Sequence, residues 1–200
     1  MGERFRTVGQ VLAEFAVLFL ATAAVPFVVV SDREVFYFGS SDHSLTEWCQ
    51  AALLLFCATV FWRLAWKRAD QRGWLVLVAG LFSAMLIREL DHYFDLVKHG
   101  FWVYPALGAT LLAVGLAVRN RADIAPAMLD YARHHGHAYI LSGLLVVLVF
   151  SRLLGSGSIL NLLMAEEYQK QFKTALQEGL ELMGYVLMAW GAACYGLFKR

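Results

Sequence analysis

Long apolar runs separated by short polar stretches fill this chain, and the runs have membrane-spanning length. A helix needs about 20 mostly apolar residues to cross the hydrocarbon core of a bilayer. Six stretches meet that requirement: 8–30, 45–66, 74–96, 101–118, 137–154 and 172–197. The first, fourth and fifth are apolar almost throughout. The second, third and sixth carry charged residues near one end. The pattern predicts an all-α fold, a polytopic bundle of about six transmembrane helices forming one domain over 1–200. The longest connection lies between the fifth and sixth runs. Gly155-Ser156-Gly157-Ser158 reads as a flexible turn there. Ile159 to Gln171, apolar and then polar, reads as a short helix lying at the interface. Ala127 to Arg133 reads as a short amphipathic helix between the fourth and fifth runs.

Composition agrees with a lipid environment. Of the 200 residues, 60% are hydrophobic and 16% charged, against about 45–50% and 25% in a soluble domain. The net charge of +1, with no basic arm or patch, gives no sign of nucleic acid as a partner. Cys49, Cys57 and Cys194 sit inside apolar runs without a CxxC pair, and read as small apolar filler. The first run shares features with a secretory leader: Arg4 and Arg6 precede it, and Ala21-Thr22-Ala23 resembles a cleavage site. Glu14 interrupts the run and the apolar stretch continues past Ala24, so a retained helix is expected.

Lysine and arginine set the orientation, because short cytoplasmic loops are enriched in them. Arg4, Arg6, Arg63, Lys67, Arg68, Arg72, Arg119, Arg121, Arg133, Lys199 and Arg200 fall on one side. Arg33, Arg88, Lys98, Arg152, Lys170 and Lys173 fall on the other. The first set marks the cytoplasm and places both termini there. Most aspartates and glutamates lie on the opposite side, and a net acidic outer face concentrates cations. A multi-pass protein of the cell membrane is expected, in a bacterial inner membrane.

Ionisable residues inside membrane segments are costly and so become functional candidates. Three groups stand at the outer helix ends. The second run opens His43-Ser44-Leu45-Thr46-Glu47, with His43 and Glu47 on one helix face. The third ends Arg88-Glu89-Leu90-Asp91-His92-Tyr93-Phe94-Asp95, followed by His99, which would place Arg88, His92, Asp95 and His99 on one stripe. The sixth opens Gln177-Glu178-Gly179-Leu180-Glu181, with Tyr185 extending the line of Glu178 and Glu181. Carboxylates with imidazoles suit a divalent transition metal such as zinc, iron or manganese. An E-x-x-H pair with carboxylates on facing helices is the pattern of di-iron and di-manganese bundles. Glu89 and His92 would form that pair, with Glu47, Asp95, Glu178 and Glu181 as further candidate ligands. One E-x-x-H in place of two favours a mononuclear centre. The competing structural expectation is an ion pair between Arg88 and Glu178, or Glu181, that ties two helices together.

His134, His135 and His137 form a separate group at the cytoplasmic end, read as an interfacial polar run rather than a ligand set. Gly80, Gly108, Gly115 and Gly143 suggest close helix packing. No nucleophile elbow, P-loop or dinucleotide fingerprint is present. Three functions remain open on sequence grounds: a membrane enzyme with an outward-facing metal site, a proton or cation transporter, and a non-catalytic scaffold, sensor or accessory subunit. The bilayer is the expected partner, and a homo-oligomer or a membrane partner subunit is left open.

Overall fold

A computed structural model describes residues 8–36, 44–156 and 170–197. The expected interfacial helix at 159–171 lies almost wholly outside these residues. So do His43, Arg4, Arg6, Lys199 and Arg200. All regular structure among the described residues is helical, with no strand. The helices are α1 (Val8–Phe36), α2 (Leu45–Lys67), α3 (Arg72–Glu89), α4 (Asp91–Asp95), α5 (Val103–Arg119), α6 (Ile124–Ala132), α7 (His135–Leu145), α8 (Ser151–Leu154) and α9 (Lys170–Gly196). A π-turn over Val146–Phe150 joins α7 to α8 in one continuous rod.

Among the described residues, four helical segments are long and apolar enough to cross a membrane: Val8–Asp32, Leu45–Lys67, Ala69–Glu89 and His135–Leu154. A fifth is counted if α5 and α6 together make one span, but the chain bends by 86° between them. α9 is not in this group, and its position explains its polarity. It packs against α7, α2, α1 and α8, so protein surrounds much of its surface. A helix in that position carries the partly buried Gln177 and Glu178 and the buried Glu181 against its protein neighbours. α1 is the opposite case. It buries Val25, Val29 and Asp32 against the bundle and exposes Val8, Leu12, Phe15, Phe19 and Phe27.

Glycines set the closest approaches. A Cβ on Gly136 would lie 2.7 Å from the Gly191 carbonyl, and one on Gly191 would lie 2.6 Å from the Gly136 carbonyl. Seven residues along each helix, a Cβ on Gly143 would meet the Gly184 carbonyl at 2.5 Å. The antiparallel α7 and α9 therefore touch backbone to backbone at two levels, as small residues allow in membrane bundles. Gly80 of α3 makes room instead for the Ala113 side chain of α5. Gly108 and Gly115 differ from expectation: a Cβ on either meets nothing within 4 Å. They face away from the bundle.

Two polar devices fix the helix ends. Ser44 caps α2 by accepting the Glu47 N–H at 3.1 Å. The buried Asp32 of α1 accepts the Leu45 N–H at 2.7 Å and the Thr46 N–H at 3.3 Å. First-turn amides have no partner within the helix, so Asp32 both satisfies α2 and ties α1 to it. Between these ends Phe61, Phe82, Tyr131 and Tyr195 form an aromatic core. Phe61 stacks on Phe82 at 5.5 Å, and Tyr131 meets Tyr195 edge-on at 4.9 Å.

Candidate functional site

α3 delivers Arg88 and Glu89 in its last turn. α9 delivers Gln177, Glu181 and Tyr185, spaced four apart and so on one face. The π-turn delivers Ser151. These three elements meet at one end of the bundle. Arg88 donates from Nη2 to Glu89 Oε2 at 3.2 Å and lies 3.9 Å from Glu181 Oε2. Tyr185 donates its hydroxyl to Glu89 Oε2 at 3.1 Å. Gln177 Nε2 donates to Glu181 Oε1 at 3.3 Å. Ser151 Oγ stands 3.1 Å from the same Oε1 and 2.8 Å from the Val147 carbonyl.

The two carboxylates are buried, with side-chain exposures of 6% for Glu89 and 7% for Glu181, whereas Arg88 keeps 34%. Tyr185 and Ser151 are fully buried. Among the described residues Arg88 is the one cation paired with either carboxylate. The cluster thus sets one guanidinium against two buried carboxyl groups.

The remaining candidates lie around this centre or apart from it. Glu47 is exposed and within electrostatic range of Glu89, but not in contact with it. Glu178 is half-buried, and its backbone carbonyl accepts the buried Gln50 side chain at 3.2 Å. Among the described residues the ion partners of Arg88 are Glu89 and Glu181. The Glu89–His92 pair is not on one helix. α3 ends at Glu89, Leu90 leaves helical geometry (φ −91°, ψ 19°), and α4 begins at Asp91. His92 is exposed, with its ring edge-on to Tyr93 at 6.0 Å. The same break divides the expected stripe. Asp95 pairs with His99 at 2.9 Å and accepts the Gly100 N–H at 2.8 Å, closing a turn that Gly100 makes at φ +79°. Among the described residues no three or more His, Cys, Asp or Glu side chains gather closely enough to hold a metal ion.

Sequence reasoning gave Ser151 and Gln50 no role, and Gln177 none beyond its place in the sixth-run motif. None is ionisable, and only Gln177 lies beside a charged motif. The other histidine group sits elsewhere and has a structural part. His134 caps α7, its Nδ1 accepting the Gly136 N–H at 3.0 Å. Its ring stacks on His135 at 4.5 Å and meets Tyr195 edge-on at 5.1 Å. Next to it Tyr195 donates to Gln71 Oε1 at 3.1 Å, and Gln71 Nε2 donates to Asp130 at 2.9 Å. No family model, no curated protein and no solved structure matches this chain.

Proposed function

We propose that this chain is a six-span protein of the cell membrane, expected in a bacterial inner membrane, with both termini cytoplasmic. On this reading the Arg88–Glu89–Glu181 cluster takes up a proton or another small cation from the outer side during transport. The observation that carries it is the charge imbalance. One guanidinium offsets one carboxylate, and an uncompensated charge among apolar helices is too costly to leave unpaired. A bound cation removes the excess. Arg88 is partly exposed and Glu47 is exposed nearby, so the centre has a polar approach. The acidic outer loops would enrich cations there.

A dye-loaded liposome assay tests the proposal. An imposed gradient should drive proton or cation movement through the wild type. Glu89→Gln and Glu181→Gln should lose most of that rate while remaining monodisperse in detergent. No flux of protons, sodium or potassium through the wild type would sink it. The second reading is structural: Arg88 cross-links α3 to α9 and the protein serves as a scaffold or accessory subunit. It gains support if flux is absent but each glutamine variant still lowers stability. A divalent transition metal is the less favoured occupant, because among the described residues no three His, Cys, Asp or Glu side chains gather closely enough to hold one. Stoichiometric zinc, iron or manganese in purified protein, lost in Glu89→Gln, would reverse that preference.

A further inference from the structure

The rod formed by α7 and α8 contains an irregularity beside this centre. At the π-turn the Ser151 N–H bonds the Val146 carbonyl, five residues back, in place of the Val147 carbonyl. A π-turn inserts one residue into an α-helix, and such turns are frequent at functional sites. Here Ser151 occupies the position above Val146 that Phe150 would hold in a regular helix. A serine therefore faces Glu181, while Phe150 is half exposed on the outside. The turn contains no proline or glycine that would lock it: it reads Val-Val-Leu-Val-Phe.

Two hydrogen-bonding demands compete at this turn. The regular register would return a backbone N–H to the Val147 carbonyl. In the π register the Ser151 N–H goes to Val146 instead, while the Ser151 hydroxyl reaches the Val147 carbonyl and also lies against Glu181. A hydroxyl has one proton to give. An ionised carboxylate holds a donor more strongly than a neutral one does, and a neutral carboxyl tolerates an apolar neighbour.

We propose that the π-turn is a two-register switch driven by occupancy of the Glu89–Glu181 pair. The inference rests on the cation-uptake reading above. With the pair empty and anionic, Glu181 holds Ser151 and the π register persists. With a proton or cation bound, the need for the serine donor falls and the rod relaxes to the α register. Phe150 then rotates in over Glu181 and covers the site. The groups around Glu181 that set the balance are Arg88 and Glu89 of α3, Gln177 and Tyr185 of α9 and Ser151. Glu47 of α2 acts through Glu89.

Spin labels at Leu153→Cys and Leu81→Cys, both exposed positions, read the register as a distance in a Cys49→Ser background. Glu89→Gln/Glu181→Gln, which mimics the neutral pair, should shift that distance. The shift should match a rotation of α8 by about 100°, one residue's share of a 3.6-residue turn. Deleting Val149 removes the inserted residue and keeps Ser151 over Val146 in a regular helix. That variant should give one distance, unmoved by the double glutamine change. Identical distances in the wild type and the glutamine variant would overturn the switch, even if the wild type transports. A distance shift without any flux would retain the switch and discard transport.

Discussion

At the scale of single residues, Arg88 decides whether the buried cluster can exist. It contacts Glu89 and reaches towards Glu181 on another helix. Removing one partner of a buried pair leaves an uncompensated charge and costs about 3–5 kcal/mol. Arg88 is a third exposed, so Arg88→Leu should fall near the lower end, roughly 3 kcal/mol, read as a drop in thermal stability in detergent. Adding Glu89→Gln and Glu181→Gln to Arg88→Leu should recover much of that loss, because no charge is then stranded. A triple variant no more stable than Arg88→Leu would show that the arginine acts through packing alone. Asp32 is also decisive at this scale, since one side chain satisfies two α2 amides and holds α1 in place.

At the scale of elements, the α7–α9 contact carries the site. Gly136 against Gly191 and Gly143 against Gly184 bring the two backbones together, and this closeness lets Ser151 reach Glu181. A side chain at Gly143 would meet the Gly184 carbonyl and the Met188 side chain. Overpacking of this kind costs typically about 1–3 kcal/mol. Gly143→Leu should therefore destabilise the bundle by at least that amount and separate Ser151 from Glu181. Gly108→Leu, on an open face, should be near neutral. Parallel melting curves check the contrast, and equal losses at the two positions would refute the packing account. The break at Leu90 is the other element-level event. It ends α3 just after Glu89 and sends His92 into a separate short helix, so a pair that looks like a metal motif in one dimension is divided in three.

At the scale of the whole molecule, exposure sorts the helices. α1 presents its apolar surface outward, and α9 is enclosed by its neighbours. This enclosure fits the composition of α9, which hydropathy alone does not mark as transmembrane. The proposed arrangement makes a topological prediction. Reporters fused after residue 200 and ahead of residue 1 should both be active on the cytoplasmic side, and a cysteine at Lys98 should be labelled only from outside. A C-terminal reporter active on the outer side would mean that α9 does not cross.

The sequence by itself determined the helical class and the presence of several helices long and apolar enough to cross a membrane, because these follow from runs of apolar residues and from the length of a bilayer. It also located the residues of the cluster: Arg88, Glu89, Glu181 and Tyr185 were visible as costly polar groups in apolar segments. Tertiary structure alone decided which of them meet. Glu181, rather than Glu178, faces Arg88 because the rotation of α9 is set by its glycine contacts with α7. His92 falls outside because a backbone break at Leu90 leaves no periodic trace in the residues around it. Ser151 falls inside because a π-turn shifts its face by one residue, and Val-Val-Leu-Val-Phe carries no signal of that turn.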